Sequence, residues 1–329
     1  MQDLHRFNLL GNSERFQHTC KQIHKLASVD ASVLIHGETG TGKEMAARAI
    51  HYLGKRAGKP FIPINCGALA ETLIESELFG HERGAFTDAK LASAGLISDA
   101  DGGTLFLDEV DSLSLKAQTA LLRFLQDKTY RRVGSSSNRQ ADVRILVATN
   151  AKLEHLVEQK HFRRDLLYRL NVLVLTMPPL RDRGNDAVLL TESFLARFSR
   201  EYQKPLKTLH PDSISYLQSH AWPGNIRELE NSVLREFLMS DSAALHLNPN
   251  AEAITLNDKM ESPLSFKDAK ARAIAEFERS FVAEQLKRTN GNISRAASFS
   301  GQDRSAFGKL AKKYGLNSCA YLHTSEASD

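Results

Sequence analysis

The residues Gly37-Glu38-Thr39-Gly40-Thr41-Gly42-Lys43 follow the pattern G-x-x-x-x-G-K. Glycines let successive backbone N–H groups turn inward around phosphate oxygens, and a helix starting there adds its positive dipole end. Lys43 would reach the β- and γ-phosphates of a nucleotide. The next residue is Glu44, so the hydroxyl that usually meets magnesium at this slot is absent. Further on, Leu105-Phe106-Leu107-Asp108-Glu109 ends an apolar run in two carboxylates. Asp108 is placed to hold Mg²⁺ through water, and Glu109 to polarise an attacking water. Thr149-Asn150 ends another apolar run, where Asn150 can orient water beside a γ-phosphate. A run ending in Asp-Glu is common by itself. Behind a phosphate loop it points to nucleotide hydrolysis.

Such residues need a rigid frame. Apolar runs at residues 32–36, 104–107, 143–148 and 171–175 predict buried strands. Helical patterns lie between them, as at residues 116–126, where Ala117, Ala120, Leu121, Phe124 and Leu125 share one face. Strands alternating with helices predict an α/β fold, a mostly parallel sheet with helices on both faces. Pro178-Pro179 breaks the alternation. Residues 187–203, 211–220 and 225–239 then read as helices only, a small all-α domain. The expected division is an α/β domain at 1–176, a helical domain at 177–246, a linker at 247–265, a second helical domain at 266–318 and a disordered tail at 319–329.

Composition narrows the class. The chain has 329 residues, 42% hydrophobic and 25% charged, with net charge +4. These values exclude collagen-like, disulfide-scaffold and wholly disordered chains. There is no apolar run long enough to span a bilayer. Met1-Gln2-Asp3-Leu4-His5 lacks the pattern of a secretory signal. Cys20, Cys66 and Cys319 lie far apart, without metal-ligand spacing. A cytoplasmic protein, with no membrane partner, is the expectation.

Four motifs in order resemble bacterial enhancer-binding proteins, the AAA+ ATPases that activate sigma-54 RNA polymerase. They are GETGTGKE ending at Glu44, Glu77-Leu78-Phe79-Gly80, Gly102-Gly103-Thr104 running into Asp108-Glu109, and Trp222-Pro223-Gly224-Asn225-Ile226-Arg227-Glu228-Leu229. The resemblance implies a ring, usually a hexamer, with ATP between subunits. By the same resemblance, Asn65 pairs with Glu109 and switches its orientation. Arg163 and Arg169 match the fingers that reach a neighbour's nucleotide, where a guanidinium stabilises charge in phosphoryl transfer. Arg227 matches the sensor arginine of the helical lid.

Gly84, Ala85, Phe86, Thr87, Asp88 and Ala89 occupy the place of the family's GAFTGA loop, which contacts sigma-54. Here Asp88 replaces the second glycine, adding charge and tolerating positive φ less well. Either the loop still engages sigma-54 with altered strength, or the protein acts as a repressor or with another sigma factor. Residues 130–139 look like the neighbouring pore loop. Family members usually carry an N-terminal receiver or sensor domain. The chain begins almost directly at the ATPase, so such a domain is either lacking or removed.

Residues 266–315 contain eleven basic and five acidic residues, the electrostatic footprint of phosphate contact. A long amphipathic helix is expected at 269–289, then two short helices around Ser300-Gly301. That geometry is helix-turn-helix. Asn290-Gly291-Asn292 and Lys312-Lys313-Tyr314-Gly315-Leu316 resemble the Fis-type DNA-binding domain of the same activators. Arg304, Ser305 and Lys309 are candidates for base or phosphate contact, with Lys312 and Lys313 on the DNA backbone. Asp303 is a candidate N-cap that would repel a nearby phosphate.

Overall fold

The computed structural model describes residues 2–69, 71–86, 89–247, 278, 281–283, 285–289, 291–301 and 303–314. The chain separates into two compact units, Met1–Glu252 and Ala253–Asp329.

In the first unit, β1 (Val33–His36), β2 (Phe61–Asn65) and β3 (Thr104–Asp108) are followed by a short antiparallel pair, β4 (Thr129–Tyr130) and β5 (Arg139–Gln140). Next come β6 (Arg144–Thr149) and β7 (Val174–Thr176). The main sheet runs β2-β3-β6-β1-β7, every neighbour parallel. The helices are α1 (Gln2–His5), α2 (Glu14–Ser28), α3 (Lys43–Tyr52), α4 (Glu71–Phe79), α5 (Leu96–Asp99), α6 (Leu115–Asp127), α7 (Leu153–Glu158) and α8 (Arg164–Leu170).

Side-chain alternation along the strands divides the core into two layers. Val33, Ile35, Phe106, Leu146 and Ala148 pack with α2 and α3 on one face. Leu34, Leu105, Leu107, Ile145 and Val147 pack with α4, α6 and α8 on the other. A one-residue slip in any central strand would exchange its residues between these layers.

The four expected strands form, with the last shifted to Val174–Thr176 because α8 runs to Leu170. The sequence did not predict β2. It carries Pro63 at its centre and is largely half-exposed, because it lies at the sheet edge and pairs only with β3. An edge strand tolerates a residue without an N–H on its open side.

Beyond β7 the chain forms α9 (Asp186–Glu201), α10 (Pro211–Ser219) and α11 (Asn225–Met239) around their own core of Leu190, Phe194, Leu217, Trp222, Leu229 and Phe237. The indole Nε1 of the buried Trp222 donates to Leu217 O at 3.1 Å. The expectation of helices alone needs correction. β8 (Thr208–Leu209) and β9 (Ala244–Leu245) pair in parallel and close the domain. Ser213 Oγ secures this closure, donating to Leu245 O at 3.0 Å and accepting from Leu247 N at 2.9 Å.

In the second unit, residues 281–283 and 285–288 are helical, followed by helices Ile293–Phe299 and Arg304–Lys313. Val282, Leu286, Ala296, Ala297, Phe307 and Ala311 form their core. Gly301 turns the chain at φ +66°. Asn292 and Asp303 cap the two helices, with Asp303 Oδ1 accepting from Ser305 N at 2.7 Å. The expected linker beyond residue 247, most of the long helix at 269–289 and the tail at 319–329 lie outside the described residues. Among the described residues, no helix is long and apolar enough to cross a membrane.

Candidate active site

The phosphate loop links β1 to α3, at the carboxyl end of the sheet. Gly40 and Gly42 sit at φ +79° and +92°, the left-handed region that side chains disfavour. Lys43 is buried and donates from Nζ to Gly37 O at 2.8 Å and Glu38 O at 3.2 Å. Burial lowers its pKa, and the facing carboxylates of Asp108, Glu109 and Asp111 oppose that. Thr41 Oγ1 closes the loop on Glu38 O at 2.8 Å. Glu44 lines the cleft, with its carboxylate paired to Arg48 one turn along α3.

Asp108 ends β3 beside Asn65 at the end of β2, a register pair that places both at one edge of the cleft. Glu109 follows in the left-handed region at φ +54°. A carboxylate residue held there stores strain, as functional sites often do. Gly67 clears room for it, since a Cβ at that position would overlap Glu109 Oε2. The Asn65–Glu109 pairing is not made in this structure. Asn65 Oδ1 instead accepts from Gly67 N at 2.8 Å and Ala68 N at 3.1 Å, capping the turn after β2. Asn150 also lines the cleft and donates to Thr39 Oγ1 at 3.0 Å. Thr149 and Asp111, which the sequence did not single out as partners, bond at 2.5 Å just behind.

Lys43, Glu44, Asn65, Asp108, Glu109 and Asn150 line a cleft of about 440 Å³ between the α/β domain and the helical domain. Arg227 of α11 closes it from the helical side. The same cleft is also lined by Leu9, Leu10, Met45, Leu190, Phe194 and Ile226, apolar surface of a kind that suits a planar base. Arg197 and Glu230 pair at the rim of the cleft. The segment carrying Leu9 and Leu10 is held by the buried pair Arg183–Asp186. Asp186 accepts from Asn12 N and Ser13 N, and the Arg183 guanidinium stacks 3.7 Å from the Phe16 ring centre.

Glu38, expected at the nucleotide, lies on the loop with its carboxylate engaged by residues of the helical domain. Arg181 grips it in a fork at 2.8 and 2.5 Å, and Asn225 Nδ2 donates to it at 3.1 Å. These contacts hold its pKa at about 2. Arg181 and Asn225 lie far along the chain, and spacing gives no sign of the contact.

Arg163 and Arg169 do not line this cleft. Arg163 is half-exposed and paired with Asp165 at 2.7 Å, while Arg169 donates to Leu125 O at 3.2 Å. Of the loop at 84–89, Thr87 and Asp88 lie outside the described residues. Its base is closed by Gly84 N donating to Ala89 O at 2.9 Å. The Phe86 ring packs on His81 at 5.0 Å between centres. Glu82 N donates to Val133 O at 3.0 Å and Val133 N to Gly80 O at 2.8 Å, so this loop is braced on the segment between β4 and β5. In the second unit, Arg304, Ser305, Lys309, Lys312 and Lys313 are exposed on helix Arg304–Lys313. Lys313 is engaged with Glu278 at 3.0 Å.

Residues 9–176 match the family described as Sigma-54 interaction domain, and residues 181–262 match the AAA+ ATPase lid domain. The nitrogen fixation protein AnfA of Azotobacter vinelandii is 44% identical over 313 residues, covering 94% of this chain and 58% of AnfA. The regulatory protein AtoC of Escherichia coli K12 is 42% identical over 315 residues, covering 94% of this chain and 68% of AtoC. The crystal structure of NtrX from Brucella abortus in complex with ATP is similar at TM-score 0.72 and 32% identity, covering 93% of this chain and 69% of NtrX. The chain thus spans 58% to 69% of the length of these relatives. A phosphate loop, a strand-end carboxylate pair and a helical lid meet in one cleft, and with these matches they establish that the chain belongs to the sigma-54 activator family of AAA+ ATPases.

Proposed function

We propose that the chain is an ATP-hydrolysing, DNA-binding transcription regulator that remodels the sigma-54 RNA polymerase holoenzyme through Gly84, Ala85, Phe86, Thr87, Asp88 and Ala89. The observation that carries this reading is the bracing of that loop. Its base is joined by backbone bonds to the segment after β4.

In the chemistry we propose, Lys43 draws charge from the β- and γ-phosphates and Glu109 polarises the attacking water, which Asn150 orients. Asp108 is the residue that would hold Mg²⁺, with phosphate oxygens and waters completing its shell, and the hard oxygen donors at the end of β3 fit that ion. Arg227 senses the nucleotide from the lid. Arg163 and Arg169, directed away from their own cleft, serve a neighbour's cleft in a homo-oligomer, from dimer to hexamer. The exposed basic face of helix Arg304–Lys313 supports DNA contact by Arg304, Ser305, Lys309 and Lys312, with Lys313 partly spent on Glu278.

Asp88 supports a second reading, a regulator of the same fold that no longer engages sigma-54 and acts as a repressor or with another sigma factor. The test is a trapped complex. The protein is incubated with sigma-54, ADP and a metal-fluoride phosphate mimic, with Asp88→Gly alongside, and run on a native gel. A complex with the natural sequence supports remodelling. A complex with the glycine variant alone supports the second reading, and none with either refutes sigma-54 engagement.

A further inference from the structure

The lid is fastened directly to the phosphate loop at three points. Arg181 grips the Glu38 carboxylate with both terminal nitrogens. Asn225, fully buried, donates from Nδ2 to Glu38 Oε2 at 3.1 Å and to Thr39 O at 3.0 Å, while its Oδ1 accepts from Leu180 N at 2.8 Å. Ile226 N donates to Gly40 O at 3.0 Å. The fit is close, because a Cβ on Gly40 would overlap Gly224 O.

These bonds fix more than distance. A trans peptide is planar, so its C=O and the following N–H point in opposite directions. With the carbonyls of Thr39 and Gly40 drawn to the lid, the N–H groups of Gly40 and Thr41 must face away from it. Thr41 N–H does point into the loop, where it donates to Glu38 O at 3.4 Å. Inward N–H groups are what a phosphate cradle requires. We infer that Arg181 and Asn225 are positioning residues for nucleotide binding, which preset the peptide planes of the phosphate loop from the lid.

The exposure of the pair supports this role over a purely structural one. Arg181 and Glu38 are each 43% exposed, and so open an ion pair adds little to folding. Its effect falls on how the loop is held. Reciprocity follows: whatever lid latching contributes to phosphate affinity, bound phosphate returns to latching. The inference rests on the reading of this cleft as the ATP site.

The test is titration of the full chain with a fluorescent ATP analogue, with thermal unfolding of each variant measured without nucleotide. Arg181→Ala should weaken binding about tenfold, the loss expected for charge-assisted hydrogen bonds. Arg181→Lys should fall between it and the wild type, because charge survives but the fork does not. The unfolding midpoint of both should stay near the wild type. Asn225→Asp, which cannot donate to Glu38 or Thr39 O, should weaken binding at least as much. Affinities within twofold of the wild type for Arg181→Ala and Asn225→Asp would overturn the positioning role. Absence of binding by the wild type would overturn the ATP-site reading, and the latch with it.

Discussion

Two glycines of the phosphate loop allow the lid contact to be separated from backbone strain. Gly40 and Gly42 both have left-handed φ, so alanine at either costs about 1–2 kcal/mol in backbone conformation. The surroundings differ. A Cβ on Gly42 meets nothing within 4 Å, whereas one on Gly40 runs into Gly224 O and lies 3.2 Å from Arg227 Cβ. Forcing an atom into a packed contact costs a further ~1–3 kcal/mol. Gly42→Ala should therefore lose about 1–2 kcal/mol and Gly40→Ala about 2–5 kcal/mol. For a domain of this size each kcal/mol lowers the unfolding midpoint by about 2–4 °C. The assay is thermal and urea unfolding without nucleotide, where phosphate contacts play no part. Equal destabilisation by the two alanines in the natural background would refute the claim that the lid bears on Gly40.

Glu109→Gln should reduce phosphate release by about 100-fold or more while leaving ATP affinity near the wild type; undiminished turnover would remove Glu109 from the chemistry. Glu38 has its folded pKa lowered from 4.5 to about 2, so its contribution to stability is present above pH 4.5 and is lost as pH falls through about 2. Because the pair is 43% exposed, acid titration of the wild type should show that loss only as a small difference from Glu38→Gln, with both flat in this respect between pH 5 and pH 8. Asp303→Ser keeps a side-chain cap on Ser305 N and removes a negative charge at the start of the last helix. Gel-shift affinity for duplex DNA at low salt should rise, and an unchanged or weaker affinity would take that helix end away from the phosphates.

Local signals in the sequence carried much of the fold. The central strands are apolar runs, and each lies within a residue or two of its expected place because both faces are buried. The phosphate loop and Asp108-Glu109 announce themselves by composition at fixed spacing. β2 did not, since Pro63 and half-exposed neighbours are tolerated only because the strand lies at an edge, and edge position is a property of the whole sheet. The β8–β9 pair was equally hidden, as two-residue strands have no period to detect. Glu38 was placed on the loop, but the partners of its carboxylate were not foreseen. Its partners Arg181 and Asn225 reach it only after the helical domain folds back over the sheet. The resemblance to a family supplied Arg163 and Arg169, whose proposed role toward another subunit has no signature in one chain's spacing.

The small β8–β9 closure has a mechanical consequence. The segment at β9 is anchored, since Leu245 and Leu247 are buried and Ser213 bonds to both Leu245 O and Leu247 N. A pull on the chain beyond this point is therefore borne by backbone bonds between Thr208–Leu209 and Ala244–Leu245 and by the buried leucines. Without that anchor it would reach the last turn of α11, which ends at the exposed Met239, and would peel the helix residue by residue. The anchor turns peeling into shear, in which several bonds must fail together. Arg227 and Glu230, near the other end of α11, are thereby insulated from tension on the chain that follows.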